Sequence, residues 1–148
     1  MMTDVDNFQY VREHVRTVPD FPKKGIMFLD ITTATKDAKS MQYMIDFLYE
    51  TFKNEKIDYV AGIESRGFIF GAPLAYKLNA GFIPIRKPNK LPADTVKETY
   101  SLEYGTDTIE MHADALKSGD KVLVIDDLLA TGGTAVAACN LVKKVGAE

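Results

Sequence analysis

The sequence predicts an α/β fold: a mostly parallel central sheet flanked by helices. Three observations carry that prediction. The segments Ile57–Ile63, Gly81–Arg86 and Lys121–Ile125 are apolar and β-rich without strict alternation, as in strands covered on both faces. Segments of helical period, Phe68–Leu78 and Thr134–Val145, follow the first and the last of these strands. Two of these strands run into polar, glycine-containing turns, where open α/β sheets place their ligands.

The 148 residues fit one domain, 1–148, with room for a core that needs no staples. Hydrophobic residues make up 46% and charged residues 26%, an ordinary globular balance. A net charge of -3 with no Lys/Arg cluster argues against nucleic acid or an anionic membrane as partner. Cys139 is the single cysteine, so no disulfide framework is expected, and a cytoplasmic location fits. The N-terminus lacks the layout of a secretion signal, and no apolar run is long enough to span a bilayer.

Val5, Phe8, Val11, Val15 and Val18 recur at helical spacing, predicting an opening helix over 4–18 that Pro19 and Pro22 end. Gly25–Ile31 reads as a short extended stretch. Ser40 is the expected cap of a second helix carrying Met41, Met44, Ile45, Leu48 and Phe52 on one face. After the strand Ile57–Ile63, Glu64–Gly67 turns the chain, and Phe68–Leu78 returns to helical period. Gly81–Arg86 is the next strand. Lys87–Thr99 is polar, holds two prolines and reads as a long loop suited to a lid. Tyr100–Glu103 and Thr106–Met111 flank Gly105 as a hairpin. Ser118-Gly119-Asp120 turns into the strand Lys121–Ile125, and Thr134–Val145 is the last helix, with Gly146 at its C′ position. Cys139 on that helix reads as a small buried hydrophobe. His14 and His112 have no partner at metal-ligand spacing and read as structural.

The segment Val122–Ala135, VLVIDDLLATGGTA, carries the most chemistry. Gly132 and Gly133 let the backbone approach a ligand without a Cβ in the way. The helix that follows offers free N–H groups and partial positive charge to a phosphate. Ala130 lines the turn, and Thr131 and Thr134 add hydroxyl donors. Asp126 and Asp127 are poor phosphate partners but good acceptors for sugar hydroxyls. Phosphate plus diol spells a ribose phosphate. The absence of Gly-Lys-Thr/Ser excludes an NTPase P-loop, and the absence of GxGxxG excludes a dinucleotide fingerprint.

This segment resembles the signature of the type I phosphoribosyltransferases. Asp20-Phe21-Pro22, Gly25-Ile26-Met27-Phe28, Glu64-Ser65-Arg66-Gly67-Phe68, Arg86-Lys87, Lys90-Leu91-Pro92 and Tyr100–Gly105 extend the resemblance to the adenine phosphoribosyltransferases, in order and over nearly the whole chain. The resemblance implies that family's fold, with a flexible loop-hairpin over the active site. It implies transfer of ribose 5-phosphate from phosphoribosyl pyrophosphate to adenine, giving AMP and pyrophosphate, with Mg2+ held mainly through the substrate. It also implies a homodimer. Phe28 would stack on adenine, with the backbone of Met27 and Leu29 reading the base edge; many members carry Arg where Leu29 stands. Ser65, Arg66, Lys87, Lys90 and Tyr104 would hold pyrophosphate, and the Glu64–Ser65 peptide corresponds to one that is cis in the family. Glu103 would relay the adenine proton.

Two other readings stand beside this one: transfer to another base (xanthine, hypoxanthine or orotate), and a non-catalytic ribose-phosphate sensor on the same fold. The retained Glu103, Arg66 and loop lysines argue against the sensor, as does the lack of a helix-turn-helix module. The family continues through a further strand after the last helix, so a shortened chain is expected at Gly146-Ala147-Glu148.

Overall fold

A computed structural model describes residues 4–148. They form two compact units, the first ending at Glu50 and the second running from Thr51 to Glu148.

In the first unit, α1 (Asp4–His14) is followed by an antiparallel pair, β1 (Arg16–Pro19) and β2 (Met27–Asp30), then by α2 (Thr32–Lys36) and the start of α3 (Ala38–Phe52). The opening helix is therefore shorter than its periodicity predicted. It stops at His14, whose Nδ1 meets the Tyr10 carbonyl at 2.8 Å. Arg16–Pro19 leaves it to pair with β2, Arg16 opposite Asp30. The pairing is reinforced by the Arg16 Nε to Asp30 Oδ2 hydrogen bond of 3.0 Å. β-Branched Thr17 and Val18 suit that strand, and Val18 suits it as well as it suits the helical spacing. A second correction concerns the cap of α3. Asp37 Oδ2 accepts the Ser40 amide at 2.8 Å, so Asp37 is the cap and Ser40 sits in the first turn, buried.

In the second unit, β3 (Tyr59–Ile63) lies between β4 (Gly81–Ile85) and β7 (Val122–Ile125), all parallel. α4 (Arg66–Leu78) connects β3 to β4; Asn79, in the left-handed conformation at φ 55°, ends it. Ala61 and Ile63 of β3 join Ile83 and Ile85 of β4 and Ala137, Ala138, Leu141 and Val142 of α5 (Gly133–Lys144) in one buried core. The opposite face carries a notch. A Cβ at Gly62 or at Gly71 of α4 would stand 2.8 Å from the Phe82 ring, so that ring sits where both glycines leave space.

The hairpin is longer than expected. β5 (Thr95–Ser101) pairs with β6 (Thr106–His112) over seven residues each. The expected loop Lys87–Thr99 thus shortens to Lys87–Asp94. The reason is visible in the alternation along β5: Val96 and Tyr100 pack on the α5 core while Lys97, Thr99 and Ser101 are exposed. Polar residues on the solvent side mask a strand whose other side is packed. Ile109 and Met111 of β6 are fully buried in the same core. Reciprocal Arg86–Glu110 backbone bonds of 2.9 and 2.7 Å join the hairpin to the end of β4. Cys139 is exposed rather than buried; α5 turns Ala138 inward beside it. No helix among the described residues is long and apolar enough to cross a membrane.

Candidate ribose-phosphate site

β3 and β7 are neighbours in parallel register, Gly62 opposite Ile125, so the turns that leave them emerge side by side. The two segments read separately from sequence form one site. Arg66, the first residue of α4, reaches across to Asp127 at 2.9 Å, and that carboxylate is almost fully buried. The approach is close enough that a Cβ at Gly67 would lie 2.8 Å from the Ile125 carbonyl and 3.3 Å from Asp126 Oδ1. The Glu64–Ser65 peptide is cis, as the resemblance implied.

The two carboxylates differ. Asp127 is engaged by Arg66. Asp126 reaches solvent and accepts the Asp127 amide at 2.8 Å. Burial pushes the Asp126 carboxyl up to about 6; the Asp127 amide and the Arg66 charge pull the other way, and the neighbouring Asp127 carboxyl adds to the rise. Beyond them the chain runs through the exposed Leu128, Leu129, Ala130 and Thr131 to Gly132, whose φ of 86° suits glycine. α5 then starts at Gly133.

A second cluster surrounds Glu64. Its nearly buried carboxylate accepts hydrogen bonds from Arg86 Nε at 3.1 Å, the Lys87 amide at 2.7 Å and Lys90 Nζ at 2.6 Å. Burial alone would raise its pKa, but these donors outweigh it and the net shift is downward. Lys87 pairs with Asp107 of β6. Burial would lower the Lys87 pKa; the Asp107 hydrogen bond and the surrounding negative groups more than reverse this. The Tyr100 hydroxyl lies 3.4 Å from Asp107 Oδ2 and 3.0 Å from Thr134 Oγ1 on the first turn of α5. Lys87 and Lys90 are thus brought together around Glu64, and Lys87 is linked through the hairpin to the glycine loop.

Glu103 and Tyr104 stand exposed at the hairpin tip, in a turn closed by the Leu102 amide to Gly105 carbonyl bond of 2.9 Å. Met27, Phe28 and Leu29 lie in β2 of the first unit, Met27 and Leu29 exposed and Phe28 edge-on to Phe21 at 5.1 Å. Sequence reasoning missed Glu64, Asp107 and Tyr100 as organisers of the cations. The alternation along β5 was the available signal for Tyr100. No group of three or more His, Cys, Asp or Glu among the described residues could hold a metal ion.

A parallel sheet whose adjacent strand ends carry an acidic, glycine-rich loop and a cation cluster defines an α/β domain for a phosphorylated sugar. Residues 31–148 match the family model described as the phosphoribosyl transferase domain. The adenine phosphoribosyltransferase of Koribacter versatilis is 59% identical over 138 residues, covering 93% of this chain and 76% of its own length. That of Escherichia coli O157:H7 is 50% identical over 148 residues, covering 100% of this chain and 81% of its own. The crystal structure of the Thermoanaerobacter pseudethanolicus enzyme superposes with a TM-score of 0.91 at 52% identity, covering 94% of this chain and 81% of that one. The Saccharomyces cerevisiae enzyme, solved with an imino-altritol bisphosphate and adenine, gives 0.91 at 40% identity, covering 97% and 84%. This chain belongs to the adenine phosphoribosyltransferase family.

Proposed function

We infer that the protein transfers ribose 5-phosphate from phosphoribosyl pyrophosphate to adenine, giving AMP and pyrophosphate in purine salvage. The observation that carries the reading is the joining of the Asp126–Thr134 loop to the Glu64–Gly67 turn through Arg66 and Asp127. Ala130, Thr131, Gly132, Gly133 and Thr134 receive the 5-phosphate, and Asp126 and Asp127 accept the ribose hydroxyls. Ser65, Arg66, Lys87, Lys90 and Tyr104 hold the pyrophosphate. Phe28 stacks on adenine, and the Met27 and Leu29 backbone reads its edge.

The adenine ring nitrogen bonds to the anomeric carbon as that carbon's bond to pyrophosphate breaks. The electron pair leaves with pyrophosphate, and the ring nitrogen gives up its proton. Lys87, Lys90 and Arg66 stabilise the charge that gathers on the leaving group. Glu103 accepts the proton, and the exposed hairpin tip closes over the reaction to exclude water. With Asp127 engaged by Arg66, Asp126 is the carboxylate left facing solvent, and magnesium would take its oxygens mainly from the substrate and water. Held mainly through the substrate, magnesium would supply further charge neutralisation on the pyrophosphate.

The test is AMP formation from adenine and phosphoribosyl pyrophosphate, with and without magnesium and beside parallel reactions with hypoxanthine, xanthine and orotate. Binding of the sugar pyrophosphate with no pyrophosphate release would overturn the reading in favour of a sensor. Glu103→Gln is expected to lose about 10²-fold or more in turnover while adenine affinity stays within a few-fold; unchanged turnover removes Glu103 from the mechanism. A homodimer and a cytoplasmic location belong to the same proposal, the first checked by sedimentation of the purified chain.

A further inference from the structure

Asp107 was singled out by no motif, yet its carboxylate joins two parts of the site. One partner is Lys87 Nζ, and the Thr108 amide donates to its Oδ1 at 2.8 Å. The Tyr100 hydroxyl donates to Oδ2 at 3.4 Å, and the same hydroxyl meets Thr134 Oγ1 at 3.0 Å. Tyr100 is fixed by packing on the α5 core, and its ring lies against the start of that helix: a Cβ at Gly133 would stand in ordinary contact with it at 3.7 Å. Along the same helix, Asn140 Nδ2 donates to Glu98 Oε1 at 3.3 Å and Lys144 Nζ donates to the Lys97 carbonyl at 2.6 Å. The hairpin is thereby tied to α5 at both ends of the helix.

We propose that Asp107 and Tyr100 are positioning residues that hold the two ends of the substrate site in register: Asp107 aims Lys87 at the pyrophosphate, and Tyr100 aims the Thr134 hydroxyl at the 5-phosphate. The proposal rests on the reading that Lys87 and Thr134 bind those two groups.

Proton bookkeeping gives the arrangement a direction. Tyr100 has one hydroxyl proton. While that proton goes to Asp107, Thr134 must donate its own to Tyr100. A phosphate only accepts, so its arrival draws the Thr134 proton and turns the Tyr100 proton toward Thr134. Asp107 then keeps Lys87 and the Thr108 amide. The Lys87 ammonium has three protons, enough to hold Asp107 and a pyrophosphate oxygen together. Filling the 5-phosphate end therefore leaves Lys87 aimed.

The experiment is calorimetric titration of the full chain with magnesium pyrophosphate and, separately, with ribose 5-phosphate. Asp107→Asn is nearly isosteric and is expected to weaken pyrophosphate about tenfold, the scale of one lost charged hydrogen bond, with ribose 5-phosphate within about twofold. Tyr100→Phe keeps the packed ring and is expected to show the reverse preference. In a Lys87→Ala background, Asp107→Asn is expected to add nothing. A purely structural role would weaken both ligands alike in each variant, and that result overturns the proposal. So does an unchanged pyrophosphate affinity in Asp107→Asn when Lys87→Ala alone weakens it. If Lys87→Ala leaves pyrophosphate binding intact, the reading of Lys87 fails instead. Should Asp107→Asn not fold, the ligand preference of Tyr100→Phe decides alone.

Discussion

Asp126 carries its charge at a disadvantage, and the consequence can be worked out in sign. Its folded pKa of about 6 stands above the ordinary aspartate value of 3.8, so the folded state holds its proton more tightly than the unfolded chain does. Below the lower value both states are protonated and nothing is lost. Stability contributed by this group then falls as pH rises through the window between the two values. Asp126→Asn is expected to melt a few degrees above the parent at pH 8, with the difference closing toward pH 4; thermal unfolding across that range checks it. For activity the direction reverses, because ribose hydroxyls need the ionised acceptor. The kcat/KM for phosphoribosyl pyrophosphate is expected to fall as pH drops through about 6. Gly67→Ala tests the close approach of the two turns. Its Cβ would meet the Ile125 carbonyl, a backbone atom with little freedom to move, so a loss of roughly 1–3 kcal/mol is expected with a fall in kcat/KM. The acidic pair and the glycines of this site were legible in the sequence because each serves a local purpose. The partners Arg66–Asp127, Lys87–Asp107 and Lys90–Glu64 were not, since only the sheet register brings residues so far apart in sequence together.

Among the elements, the buried parallel strands and α4 and α5 fell within a few residues of their expected ends. Strands covered on both faces leave a strong apolar signature, and helices packed on them show one clear stripe. The errors fell on half-exposed elements. Val18 fits a helical stripe and a strand equally. β5 hid its packed side behind lysine, threonine and serine. Ser40 matched the cap pattern, but Asp37, three residues earlier, makes the bond. Asp37→Ala is expected to cost about 1 kcal/mol of stability, and Ser40→Ala much less through capping; denaturant titration of both variants separates them. The core under α5 is less tolerant. Leu141 is fully buried among residues of the sheet and hairpin, so Leu141→Ala is expected to lose roughly 2–5 kcal/mol.

At the scale of the whole molecule, family and reaction were legible because short motifs are spread along nearly the entire chain, from Asp20-Phe21-Pro22 to the glycine loop. The boundary between Glu50 and Thr51 was not, because α3 runs straight through it with no change of composition. The notch that seats Phe82 against Gly62 and Gly71 also acts at this scale, since it draws on two strands and a helix. Its consequence is historical rather than energetic. A chain that gains a methyl at either glycine must surrender volume at the ring, so the three positions are bound to change together. Aligned relatives are expected to show Ala or larger at 62 or 71 chiefly where 82 holds a smaller side chain than Phe, and free variation of the three would contradict the packing.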